Sequence, residues 1–162
     1  AGYFDAALCA LGMMYFPNPV TALRQMRQRL RRGGRIAVAV WGRREACGWH
    51  PIFPIVDARV QTDVCPLFFQ LGEGDNLSRA FQAAGLGAIR CRRIQTTLHY
   101  AGAEAALHAI FSGGPVAMAY ARFDPATREA VHEEYLRAIE PYRKGNGYAI
   151  PGEFVVAVGS QH

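Results

Sequence analysis

The chain has 162 residues, 51% of them hydrophobic and 19% charged, with a formal net charge of +5. That is enough apolar material for one domain burying roughly two thirds of its unfolded surface, and too much for a disordered chain. No apolar run approaches the ~18 residues of a spanning helix, and no leader pattern opens the sequence, so a soluble cytoplasmic protein is expected.

The stretch Phe4 to Val40 sets the organisation. Phe4-Asp5-Ala6-Ala7-Leu8-Cys9-Ala10 and Ile36-Ala37-Val38-Ala39-Val40 are near-continuous apolar runs. Strands covered on both faces read this way, and such strands belong to parallel α/β sheets. Between them Asn18 is placed to cap a helix with Pro19 in its first turn. Leu23, Met26 and Leu30 form its apolar stripe, and Gly33-Gly34 is expected to end it. The whole is one βαβ unit.

Trp41 to His50 reads as a loop, and Pro51 to Val64 as a helix with Ile55, Val56 and Val60 apolar. Cys65 to Leu71 is an apolar connection. Gly72-Glu73-Gly74-Asp75-Asn76-Leu77 imitates a glycine-rich cofactor turn, but Leu77 stands where the third glycine belongs. No acid ends the following strand either, so the segment reads as an Asp/Asn-capped start of a helix over Leu77 to Ala84. Ala88 to Tyr100 reads as a strand whose arginines give it a wet face. Ala103 to Ser112 and Val116 to Arg122 are short helical pieces. Asp124 and Pro125 open a longer helix running to about Glu140, buried through Val131, Tyr135, Ala138 and Ile139. Arg143 to Gly147 is a turn, and Phe154 to Val158 the last strand. No internal repeat or linker divides the chain.

Chemistry is sparse in the pattern. Cys9, Cys47, Cys65 and Cys91 lack any CxxC spacing and read as small buried thiols in a reducing compartment. The five histidines are dispersed and suggest no metal site. Lys144 is the only lysine among 18 basic residues, and eight arginines fall between Arg24 and Arg44. Phosphate contacts reward such clusters, but no nucleic-acid motif accompanies them, so they read as a solvated helix face. No Ser/His/Asp arrangement, carboxylate pair or P-loop is present, and no catalytic residue is identified.

FDAALCALGMMYFPNP followed by LRQMRQRLRRGGRIAVAVWG resembles the fourth strand, following helix and fifth strand of class I S-adenosylmethionine-dependent methyltransferases. The likeness is greatest to the small-molecule group that includes the quinone-biosynthesis enzymes. It continues through FFQLGEGDNLSRAFQAAGLGAIRCRRIQ and on to PYRKGNGYAIPGEFVVAVG.

The resemblance implies an α/β fold: a partial Rossmann-like sheet flanked by helices, using the family's fourth, fifth, seventh and sixth strands in that order. Residues 4–10 and 36–41 should be parallel neighbours, and residues 88–100 and 148–158 an antiparallel pair. Residues 1–162 are then a single truncated domain without the glycine-rich half that binds the cofactor's adenosine. By the same resemblance Cys9, Ala10, Leu11 and Met14 lie beside the methionine end of S-adenosylmethionine. Trp41, Trp49 and His50 fall in loops that face the substrate, as the carboxyl ends of strands in open α/β sheets do.

Methyl transfer asks mainly for an in-line geometry, sometimes with a base. The expected function is therefore the carboxyl-terminal part of a small-molecule methyltransferase, inactive alone. The alternative is a non-catalytic binding or oligomeric module built on the same half-fold. In either case the first strand is expected to lack an outer partner and to drive homodimer formation.

Overall fold

The computed structural model describes residues 2–60 and 68–162, which fall into two compact units. The first takes residues up to 43, from 68 to 95 and from 153 to the end; the second takes 44–60 and 96–152. Cys65 and the far end of the helix expected over Pro51 to Val64 lie outside the described residues.

A five-stranded sheet has the order β1-β2-β5-β3, with the short β4 paired to β5. The strands are β1 (Phe4–Ala10), β2 (Leu30–Trp41), β3 (Gly87–Tyr100), β4 (Arg143–Lys144) and β5 (Gly147–Ser160). This is the order expected from the sequence. β1 and β2 run parallel with Ala6↔Arg35 through Ala10↔Ala39 in register, and β2 and β5 run antiparallel from Arg35↔Ser160 to Trp41↔Phe154.

In the first unit, α1 (Pro19–Arg29) starts as anticipated, with the Thr21 N–H donating to Asn18 Oδ1 at 2.9 Å. It ends earlier than anticipated. Leu30 leaves the helix in an extended conformation, is 1% exposed, and already pairs with Phe4. Burial of that side chain fixes the exit, so Gly33-Gly34 lies within β2 rather than at the helix end. The register shifts there, Gly33 takes a positive φ of 78°, and the chain exchanges hydrogen bonds with Gln161. The next helix, α3 (Asn76–Ala83), buries Leu77, Ala80 and Phe81. Arg24 and Arg27 are not merely solvated: they donate to the carbonyls of Ala83 and Gly85, satisfying groups at the end of α3.

β1 departs from the buried strand that its composition suggests. Phe4, Ala6, Leu8 and Ala10, which share one face, are all exposed, while Ala7 and Cys9 on the other are half-covered. As the outermost strand, β1 pairs only with β2 among the described residues, and nothing there covers the Phe4–Leu8 face.

In the second unit, α2 (Ile52–Asp57) buries Ile52, Phe53 and Val56. The other helices are α4 (Ala103–Ser112), the single turn α5 (Ala117–Tyr120) and α6 (Pro125–Ile139). Asp124 caps α6 through the Thr127 N–H at 2.9 Å, and Val131, Tyr135 and Ile139 are buried as one stripe; Ala138 is only half-buried. Arg59 grips Glu134 with both guanidinium nitrogens, at 2.5 and 3.2 Å, and holds that carboxyl below its ordinary range. Gly145-Asn146 makes a two-residue hairpin between β4 and β5, with Gly145 at φ 59°. β5 therefore begins seven residues earlier than Phe154, and the longer strand takes in Glu153.

Candidate functional site

The carboxyl ends of β1 and β2 stand side by side in the first unit. Cys9 pairs with Val38, Ala10 with Ala39, and the Leu11 N–H extends the ladder to the Ala39 carbonyl at 2.8 Å. Leu11 then takes φ 54°, a left-handed conformation that costs a branched residue roughly 1–2 kcal/mol. The following turn, Met13–Tyr15, turns inward, with Met13 and Met14 buried. The crest left accessible is Cys9, Ala10 and Leu11, with Tyr15 and Phe16 beyond them. Trp41, at the end of β2, stacks on Phe154 at 4.4 Å between ring centres.

Beside Trp41 lies a constellation that the sequence pattern gave little reason to expect. Glu153 is fully buried. Its carboxylate accepts from the Arg43 N–H at 3.0 Å, Arg93 Nη1 at 2.8 Å and Gln95 Nε2 at 2.5 Å. Burial pushes this carboxyl up, but the Arg43 N–H and the Arg93 and Arg43 guanidinium groups together outweigh it and hold the pKa below the ordinary value. The other Arg93 nitrogen donates to the carbonyls of Gly72 (2.8 Å) and Gly74 (2.5 Å). Gly72 fits against the backbone of Trp41 and Gly42, where any Cβ would overlap their atoms. The Gly72–Leu77 segment thus serves as an anchor for Arg93. Asp75 precedes α3 but makes no capping side-chain hydrogen bond; Asn76 instead donates to the Gln70 carbonyl at 2.8 Å.

The remaining expected residues belong to the second unit. Trp49 is 3% exposed and packs near Phe53, with ring centres 5.9 Å apart. His50 is half-buried and its Nδ1–H donates to the Cys47 carbonyl at 3.1 Å, leaving Nε2 as an acceptor. Of the cysteines, Cys47 is buried, Cys9 half-buried and Cys91 exposed, so the buried-thiol reading holds for Cys47 alone among those described.

No family model and no curated protein matches the chain. Solved structures do. One from Bacillus halodurans C-125, described as a methyltransferase, superposes with TM-score 0.51 at 11% identity, over 98% of this chain and 70% of its own. The YcgJ protein of Bacillus subtilis gives TM-score 0.52 at 14% identity, over 98% and 64%. The fold is that of the class I methyltransferases. A methyltransferase of Thermotoga maritima described as S-adenosylmethionine-dependent is also similar, at TM-score 0.48 and 15% identity, over 99% and 57%. The chain spans 57–70% of the length of these three structures.

Within this methyltransferase fold, the cofactor can be weighed against the residues present. Cys9, Ala10 and Leu11 offer an accessible backbone at the strand end. Met14 does not, being 4% exposed. None of the four side chains is charged, so they provide no partner for the ammonium or carboxylate of a methionine moiety. The fit is partial. Among the described residues no group of His, Cys, Asp and Glu is arranged to hold a metal, and no helix is long and apolar enough to cross a membrane.

Proposed function

We propose that this chain contributes the methionine-side and acceptor-side half of an S-adenosylmethionine-dependent small-molecule methyltransferase, and does not turn over by itself. The observation that carries this reading is the paired carboxyl ends of parallel β1 and β2 in a methyltransferase fold, capped by the left-handed Leu11. Such ends are where open α/β sheets bind ligands. Strained non-glycine backbone persists only where surrounding structure holds it, and it clusters at ligand sites. None of the described residues is assigned to the adenosine side of the cofactor. Trp41, braced by Phe154, is the acceptor-side wall of this half-site; His50 belongs to the second unit and is not assigned to it.

Calorimetry tests this directly. The purified chain is expected to bind S-adenosylmethionine weakly or not at all, because affinity needs both halves of the ligand held together. Low-micromolar binding by the chain alone contradicts the half-site reading.

A second reading, a non-catalytic oligomeric module, is favoured by the bare face of β1. Leu8 is 79% exposed and Phe4 58%. The occupant we propose for this edge is a second copy of β1, paired antiparallel about a two-fold axis. Asp5 is the only charge on the strand and is already bonded to Arg31, so its side chain does not guard the edge. The absence of a disulfide at Cys9 and Cys91 among the described residues supports a reducing, cytoplasmic setting.

A further inference from the structure

The second unit carries a cleft of about 470 Å³ between α4, α5 and α6 that no part of the methyl-transfer reading uses. Its volume lies within the roughly 300–1,000 Å³ of small-molecule sites. Leu107, Phe111, Tyr120 and His132 form the covered part of its lining, and Glu104 and His108, one turn apart on α4, are exposed at its rim.

Three rings meet there. Phe111 lies 4.6 Å from Tyr120 and 5.0 Å from His132 between ring centres, and the Tyr120 and His132 rings are nearly parallel, with 21° between their planes. One hydrogen bond joins them, Tyr120 Oη to His132 Nε2 at 2.8 Å. Whichever partner donates, a phenol oxygen with one such bond keeps capacity for another. It can accept if its own hydrogen goes to the imidazole, and donate if the imidazole supplies the hydrogen. A hydroxyl group on a ligand, being both donor and acceptor, satisfies either arrangement.

Charge narrows the ligand further. Among the described residues no lysine or arginine lines the cleft. Arg128 sits over the Tyr120 ring at 5.0 Å, donates to the Ala121 carbonyl and is not among the lining residues. Burial, with Arg128 adding repulsion, pushes the His132 pKa down and keeps the ring neutral near pH 7. An anion therefore finds no cation inside, and an ammonium finds only the solvated Glu104.

We propose that this cleft binds a neutral, hydroxyl-bearing aromatic small molecule. Its ring lies against Phe111 and Leu107, and its hydroxyl hydrogen-bonds to the Tyr120–His132 pair. The site stands on the second unit alone and does not depend on the chain being a methyltransferase.

The test compares 4-ethylphenol with ethylbenzene as probes of the intact chain, following the His132 ring resonances by NMR. Saturable binding of 4-ethylphenol that shifts those resonances, several-fold tighter than ethylbenzene, is expected. Tyr120→Phe should weaken 4-ethylphenol about fivefold, the size of one hydrogen bond, and leave ethylbenzene unchanged. Absence of saturation at millimolar concentrations, equal affinity for the two probes, or binding that leaves His132 unmoved overturns the proposal. Should Y120F fail to fold, the comparison of the two probes on the wild-type chain decides alone.

Discussion

Arg93 and Glu153 meet at 2.8 Å, guanidinium to carboxylate, and the carboxylate is fully buried while the arginine reaches solvent. The pair ties β3 to β5 and, through the carbonyls of Gly72 and Gly74, fixes the turn that packs on Trp41 and Gly42. Removing one member of such a pair leaves the other without its partner in a water-poor place.

Glu153→Gln is accordingly expected to destabilise the fold by about 3 kcal/mol, the low end for a buried pair because both arginines are partly solvated. The pH dependence follows from the lowered pKa. In the unfolded chain Glu153 takes up a proton near its ordinary 4.5, whereas the folded carboxyl resists until lower pH. Its contribution is thus complete above pH 4.5 and drains away as pH falls through the folded pKa. Urea melts across this acid range should show the wild type losing stability more steeply than E153Q; equal slopes would refute the assignment.

Leu11→Gly should change the stability of the chain by no more than about 1 kcal/mol. Glycine adopts the left-handed region freely, and the relief of strain exceeds its added chain entropy. Leu11 is 38% exposed, so the burial it loses, roughly 1–2 kcal/mol, offsets that relief. Thermal melts check the balance, and a melting temperature lower by more than about 4 °C would mean that the side chain packs more usefully than its exposure indicates.

His132 should make stability depend on pH in the opposite half of the acid range. Burial first and Arg128 second depress its pKa below 6.5. Facing it are Tyr120 from α5, Phe111 of α4, and Arg128 on its own helix, with Glu104 and His108 farther out around the cleft. The unfolded chain binds the proton more readily, so this contribution is full above pH 6.5. It is lost as pH falls from there through the folded pKa. Denaturant midpoints for His132→Gln should lack that component of the decline, and a variant whose profile parallels the wild type disproves it.

Backbone pattern was legible where local chemistry dictates it. Asn18-Pro19 and Asp124-Pro125 announce their helices because a cap and a fixed φ act within one turn. The two apolar runs announced β1 and β2, and their order in the sheet followed from the resemblance. Composition alone suggested a buried β1, because it records which residues tolerate burial and not whether a neighbour supplies it; the expectation of a bare outer edge came from the resemblance. Glu153 was missed for a related reason. It interrupts an apolar strand by a single residue, and its partners Arg43, Arg93 and Gln95 lie 58 to 110 positions away. A lone acid inside a strand of alternating burial was the available signal. Tyr120 and His132 are 12 residues apart on different helices, and no spacing rule connects them.

The edge of β1 yields the most direct test of assembly. Phe4 and Leu8 are 58% and 79% exposed on one face of β1, beside a strand edge with no partner among the described residues. Sheet edges of this kind template further pairing unless charge or proline blunts them. Antiparallel pairing of two copies about a two-fold axis places Leu8 of each within the contact. Light scattering should therefore report about twice the 17.8 kDa chain mass. Leu8→Lys introduces one charge per copy into that contact, and two like charges repel across the axis. Because Leu8 is so exposed in the single chain, the same change should alter folding stability by no more than about 0.5 kcal/mol. The expected result is a monomer with an unchanged melting curve at concentrations where the wild type is a dimer. A wild-type chain that stays monomeric at high micromolar concentration sinks the proposal, as does an L8K variant that dimerises as readily as the parent.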